Sequence, residues 1–325
     1  MLEAFWTSAV MRGESLMFLE ASDGPATASL LFEPVHGLSL TSATGQVLFD
    51  EGRDYDVDLA AGTVQRLPGS RVPVTTREEL PRLVAAEDDG FHRRQVAATY
   101  GHAAGLWAGY VPARAAAQLP RTSERLRTSE PLTICLTGDS ISEGYNASGF
   151  IGAPPFQPAY GELVAAALEQ ATGSPVTFHN LAVAGWTADH GLADVERVAD
   201  AGPDLVIVAY GMNDAGFADA ADFGANIDAL MKQIRSSRLQ AEFVLVSPMI
   251  PSRECGFVVM ERFPAFRDAL AQLCGQGAAL ADMTTLWTEL LARKSDFDLT
   301  GNGLNHPNDF GHRLYAQMIL ALLTG

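Results

Sequence analysis

The chain has 325 residues, 47% of them hydrophobic, which is enough for a real core in one or two domains. Its 39 acidic and 22 basic residues leave a net charge of −17, a balance that argues against a nucleic-acid partner, since Lys and Arg supply most of the affinity for a phosphate backbone. No apolar run approaches the ~20 residues that cross a bilayer, and Met1-Leu2-Glu3-Ala4-Phe5-Trp6, with its early acid, does not read as a signal peptide.

Residues 1–110 read as closely spaced short strands. Ser15–Glu20 and Ala28–Glu33 are strand-like, and Leu38–Ser42 and Tyr55–Leu59 alternate as half-buried strands do. Ala60-Ala61-Gly62-Thr63 looks like a hairpin turn before Val64–Leu67. Such spacing, punctuated by Gly, Pro and Asp, predicts an all-β sandwich. Residues 111–130 are polar and rich in breakers and read as a connector. Residues 131–325 then alternate strand and helix. The predicted strands are the run from Leu132, then Val176–Leu181, Leu205–Ala209, Glu242–Val246 and Ala278–Ala281. The predicted helices are Glu162–Gln170, Ala188–Ala199, Asp222–Arg238, Glu261–Cys274 and Phe310–Leu323. That order implies an α/β unit with a parallel sheet covered on both faces.

The three cysteines, Cys135, Cys255 and Cys274, have no metal-ligand spacing. An odd number of widely separated cysteines reads as free thiols in a reducing compartment, so the expected location is the cytoplasm. Asn146-Ala147-Ser148 matches a glycosylation sequon and is read as a chance match.

The strand from Leu132 ends abruptly in Gly138-Asp139-Ser140. A tight turn there exposes Ser140 at the carboxyl end of a sheet, where open α/β sheets place ligands. Alone, those residues describe an ordinary strand-ending turn more readily than a catalytic one. Three later segments add weight: Asn180–Thr187 around Gly185, Gly211-Met212-Asn213-Asp214, and Asn305-His306-Pro307-Asn308-Asp309-Phe310-Gly311-His312. In order and spacing the four blocks resemble the SGNH (GDSL-type) hydrolase superfamily, over roughly residues 130–325. The resemblance implies a three-layer, flavodoxin-like parallel sheet, here preceded by a jelly-roll-like β-sandwich.

A serine hydroxyl becomes a nucleophile when a neighbouring base takes its proton. Ser140 is the expected nucleophile and His306 the expected base. The resemblance implies an oxyanion hole made by the N–H groups of Ser140 and Gly185 and the side-chain amide of Asn213. Asp139 and Asp214 are expected to brace their turns. Members of the superfamily usually carry an Asp three residues before the His, and here that position is Gly303. Either Asn302 or Asp298 reaches His306 through a longer loop, or a backbone carbonyl orients the ring in a Ser-His dyad. Some two-domain carbohydrate esterases of the superfamily work as such dyads.

Other chemistries lack their signatures. The chain has no Gly-x-Ser-x-Gly, His-Glu-x-x-His or Cys-x-x-Cys motif and no Gly-rich phosphate loop, so neither metal nor cofactor is expected. The expected function is a metal-free serine esterase, an O-deacetylase of acetylated carbohydrate, whose partner is a glycan or small-molecule ester. One alternative is a lipase or thioesterase whose acyl channel is lined by the Gly149–Phe156 loop. Another is an inert glycan-binding protein. Trp6, Trp107, Trp186 and Trp287 are either sugar-stacking faces or core, with Trp186 placed nearest the site.

Overall fold

The computed structural model describes residues 2–85 and 88–325. Among the described residues, six strands precede residue 110: β1 Val10–Met17, β2 Thr27–Ser29, β3 Pro34–Ser42, β4 Tyr55–Asp58, β5 Thr63–Arg66 and β6 Gln95–His102. They form two three-stranded antiparallel sheets, ordered β1-β6-β3 and β2-β5-β4. The β4–β5 hairpin closes where the sequence places its turn, with Gly62 at φ 62°. The second predicted strand is shorter than expected. Leu30, Leu31 and Phe32 leave the sheet and bury in the core. Strand β6 is absent from the sequence reading. It lies between two neighbours; its buried positions include the polar Gln95 and His102 and its half-buried ones the apolar Ala97, so the sequence shows no clean alternation. The short helices Leu80–Ala85 and Gly90–Arg94 interrupt the all-β pattern.

The remaining strands are β7 Leu132–Gly138, β8 Val176–Asn180, β9 Leu205–Ala209, β10 Glu242–Val246 and β11 Ala278–Ala281. They make one parallel sheet in the order β11-β10-β9-β7-β8. Counted from β7 this is the flavodoxin-like order 2-1-3-4-5, whose switch point lies between β7 and β9. Every residue of β9 and β10 is buried, as a strand covered on both faces requires. Helix Tyr160–Thr172 packs with the C-terminal helix Asp309–Leu323. Helix Ala220–Ser237 packs with Arg262–Leu273 and with Ala188–Ala193 and Val195–Asp200. These last two replace the single helix expected over 188–199.

The stretch 111–130 contains a helix, Pro120–Thr128. Proline suits its first turn, and the Glu242 carboxylate accepts from the N–H groups of Arg121 at 3.1 Å and Thr122 at 2.8 Å. The cap comes from the sheet, so no local signal marks it. Helix Met283–Leu291 was not anticipated either; Trp287 lies fully buried within it.

The N-terminal sheets join the parallel-sheet unit through a buried ion cluster. Lys294 Nζ donates to Glu14 Oε1 and to Ser29 O, both at 2.7 Å. The Tyr100 hydroxyl donates to Glu14 Oε2 at 2.5 Å, and the Leu31 N–H donates to Oε1 at 2.8 Å. Lys294 and Glu14 are wholly enclosed. Removing one partner strands the other as an uncompensated buried charge. Lys294→Ala should therefore destabilise the protein by about 3–5 kcal/mol, read as a lowered urea midpoint; an unchanged midpoint would show that the cluster carries no net stability.

Candidate active site

Strand β7 delivers Ser140 to the sheet's carboxyl end. Gly138, the last residue of the strand, has no room for a side chain, since a Cβ there would lie 2.6 Å from Ala209 O on β9. Asp139 then takes extended backbone, and its Oδ1 accepts from the Ile141 N–H at 3.0 Å. This cap starts the helical turn Ser140–Glu143. As its first residue, Ser140 has an N–H without an intrahelical acceptor.

The other blocks are tied to that turn. The Val183 N–H donates to Gly138 O at 3.0 Å, and the Ala184 N–H donates to Glu143 Oε2 at 2.7 Å. Next in line is Gly185, at φ 80° with open space where a Cβ would stand. Asn213 follows β9, and its Nδ2 donates to Trp186 O at 2.9 Å. One amide hydrogen is thereby used, and the second stays available. Asp214 Oδ1 accepts from the Ala188 N–H at 2.9 Å. Both aspartates hold turns, as expected. Burial pushes the Asp139 carboxyl up to about 7 and that of Asp214 up to about 6.

His306 comes from the loop before the last helix. Its Nε2 lies 2.9 Å from Ser140 Oγ. Ser140 and His306, 166 positions apart in sequence, are thus within one hydrogen bond. The Tyr145 ring stands against the imidazole, with centroids 5.2 Å apart. Burial lowers the His306 pKa to about 4, so the ring is neutral at pH 7.

Asn302 does approach His306, with Nδ2 at 3.1 Å from Nδ1. Asp298 does not. Its Oδ1 accepts from the Met17 N–H at 2.8 Å, and its Oδ2 accepts from Ser295 N–H and Oγ–H at 3.0 and 2.9 Å. The carboxylate caps the helical turn Asp296–Leu299 and fastens it to β1, so Asp298, one of the alternatives for orienting His306, is corrected to a structural role. A residue missed by sequence reasoning is Asn146, whose Oδ1 lies 3.2 Å from His306 Nδ1. Nothing in its local sequence marks it, because the contact spans 160 positions.

Trp6, Trp107 and Trp287 are core residues. Trp186 is partly buried beside Asn213, with the Arg197 guanidinium 5.6 Å from its ring centre. All three cysteines are free thiols. Among the described residues, no group of three or more His, Cys, Asp or Glu side chains is gathered to hold a metal ion, and no helix is long and apolar enough to cross a membrane.

Residues 136–314 match the GDSL-like lipase/acylhydrolase family. The chain belongs to that family. Its fold is shared by a two-domain esterase active on acetylated mannans, at 22% identity and a TM-score of 0.50 over 66% of this chain and 53% of the other. A crystal of such an esterase with mannopentaose gives a TM-score of 0.51 at the same identity, over 66% of this chain and 55% of the other. A mutant acetyl-xylooligosaccharide esterase from Geobacillus gives 0.50 at 17% identity, over 60% of this chain and 94% of that one. The chain thus spans about half the length of the two-domain esterase it resembles. A comparison with curated proteins returned no match.

His306 and His312 are both lowered to about 4, chiefly by burial, from an ordinary 6.5. Between these values the unfolded chain binds more protons than the folded one. The stability tied to the two neutral rings is complete above about pH 6.5 and is lost as pH falls through about 4. Histidine-detected NMR should show both rings neutral at pH 5.5. A His306 midpoint near 6.5 would mean that the ring is better solvated than its packing requires.

Proposed function

We propose that this protein is a serine esterase that removes small acyl groups, acetyl foremost, from carbohydrate. The observation that carries the ester chemistry is the 2.9 Å contact between Ser140 Oγ and His306 Nε2, set beside the first turn of the helical segment Ser140–Glu143 and the open backbone position of Gly185. Ser140 Oγ attacks the acyl carbon while its proton passes to His306 Nε2. The carbonyl oxygen becomes an oxyanion facing the N–H groups of Ser140 and Gly185 and the free amide hydrogen of Asn213. Collapse of that intermediate breaks the bond to the sugar oxygen, which leaves with the proton held by His306. Water, deprotonated by the same ring, then releases the acyl group as its acid and restores Ser140.

The carbohydrate assignment draws on the neighbours named for acetylated mannans and acetyl-xylooligosaccharide, and on an N-terminal β unit, residues 1–110, as accessory domain. A longer acyl group is the second reading. Phe150 and Phe156 are exposed in the Gly149–Phe156 loop, and Phe150 packs 4.6 Å from Tyr145, which itself faces His306. An inert glycan-binding protein has no use for a paired Ser140 and His306.

A fluorophosphonate should label Ser140, and Ser140→Ala should abolish turnover while leaving the circular dichroism unchanged. Wild-type turnover in that variant would remove Ser140 from the reaction. On nitrophenyl esters from acetyl to octanoyl, the rate should peak at acetyl, with release of acetate from acetylated manno- or xylo-oligosaccharides. A peak at octanoyl would favour the lipase reading.

Asn213→Ala removes a contact that strengthens in the transition state. It should lower kcat by roughly 10²-fold with little change in KM; a change confined to KM would make Asn213 a substrate-binding residue instead.

A further inference from the structure

His306 can take a proton from Ser140 only if Nε2 carries the lone pair. Nδ1 must then carry the hydrogen, and that N–H needs an acceptor. Two amides flank Nδ1: Asn302 Nδ2 at 3.1 Å and Asn146 Oδ1 at 3.2 Å. Their remaining hydrogen bonds decide which of them presents oxygen.

Asn302 is locked by its own turn. Its Oδ1 accepts from the N–H groups of Leu304 at 2.9 Å, Asn305 at 3.1 Å and His306 at 3.2 Å. Its Nδ2 donates to Asn305 Oδ1 at 3.1 Å. Flipping this amide would turn an NH₂ group onto three donors. Asn146 is locked the opposite way. Its Nδ2 donates to Gly301 O at 3.1 Å, which leaves Oδ1 toward the imidazole. Its backbone is left-handed, at φ 63°, a conformation Asn accepts more readily than most residues. The preceding Tyr145 is held by its carbonyl, which accepts from His312 Nε2 at 3.2 Å.

We propose that Asn146 is the positioning residue of the site: its Oδ1 accepts the Nδ1–H of His306 and fixes the tautomer that can act as base toward Ser140. This rests on the reading of Ser140 and His306 given above. Asn146 acts through His306 and touches no substrate. A neutral amide sets the tautomer without supplying the charge that stabilises an imidazolium, in keeping with the depressed pKa of the ring.

The test uses two variants of the full chain. Asn146→Gly removes the amide while suiting the left-handed backbone, and Asn146→Asp substitutes a carboxylate. In ¹⁵N-histidine-labelled protein, His306 should show Nδ1–H in the wild type and shift toward Nε2–H in Asn146→Gly. In that variant kcat should fall roughly 10²-fold with KM within about threefold of wild type. Asn146→Asp should restore most of kcat and move the acid limb of kcat/KM upward by about one pH unit or more.

Retention of the wild-type tautomer or of wild-type kcat in Asn146→Gly would overturn the proposal. So would an acid limb that does not move in Asn146→Asp, which also decides the matter if Asn146→Gly does not fold. Failure of the esterase reading looks different: Ser140→Ala retains turnover, or no ester is cleaved, while the ¹⁵N tautomer still judges Asn146.

Discussion

The segment from Ser295 to Asn308 has little regular structure, a short helical turn and an isolated bridge between Thr300 and Pro307, yet it must place His306 to within a hydrogen bond. The Asn302 side chain ties it from within, and the N-terminal sheets hold it from outside. Gln95 Nε2, on β6, donates to both Phe297 O and Thr300 O at 2.7 Å. Asn308 Nδ2 donates to Ser15 Oγ, on β1, at 3.0 Å. Asp298 takes the Met17 N–H, also on β1. Each such bond contributes about 1 kcal/mol net, but a buried group left unsatisfied costs about 1–3 kcal/mol, so the loop has few alternatives. The N-terminal sheets are therefore part of the site's construction, because they fix the segment that carries the imidazole.

The same packing accounts for the missing carboxylate. Gly303 occupies the position where the superfamily usually has Asp. It sits at φ 71°, and a Cβ there would lie 3.0–3.1 Å from Phe91, Phe297 and Val84. Two of those three residues come from the N-terminal part of the chain. An aspartate at 303 would be strained in its backbone and crowded in its side chain. The loop buries this corner against the N-terminal unit, and the ring is left to find its partner elsewhere, in an amide from the segment that follows the Ser140 turn.

The parts of this arrangement legible in the sequence are those with local causes. β9, β10 and β11 begin and end where predicted because a strand buried on both faces must be a continuous apolar run bounded by breakers. Ser140, Gly185, Asn213 and His306 stand out because each lies in a short motif just past a strand or before a helix. Strand β6 escapes because polar residues, Gln95 and His102, occupy buried positions and Ala97 a half-buried one, which blurs the alternation of its sequence. The helix at Pro120–Thr128 escapes because its cap, Glu242, lies about 120 positions away. Asn146 escapes for the same reason. In sequence it is the first residue of a sequon, whereas in the fold its amide is engaged and the following Ala147 and Ser148 are fully buried. Asp298, one of the alternatives for orienting the ring, shows the converse: a carboxylate near the histidine in sequence is committed to a cap and to β1.

The electrostatics of the site follow from burial combined with neutral partners. The chain carries a net charge of −17, and unscreened carboxylates near Ser140 would oppose the oxyanion of the proposed acyl transfer. Asp139 and Asp214 are both buried, and burial raises both carboxyls toward their neutral forms, while the Glu143 carboxylate is engaged by the Ala184 N–H. His306 is held neutral, and the groups around it are the amides of Asn146 and Asn302. The negative charge that develops in the proposed acyl transfer therefore meets oriented N–H dipoles beside uncharged amides. Such preorganised dipoles act most strongly where water and competing ions are kept away. An amide in place of the usual carboxylate fits this balance. It sets the tautomer of His306 without adding a negative charge behind the ring, and the price is a less basic imidazole.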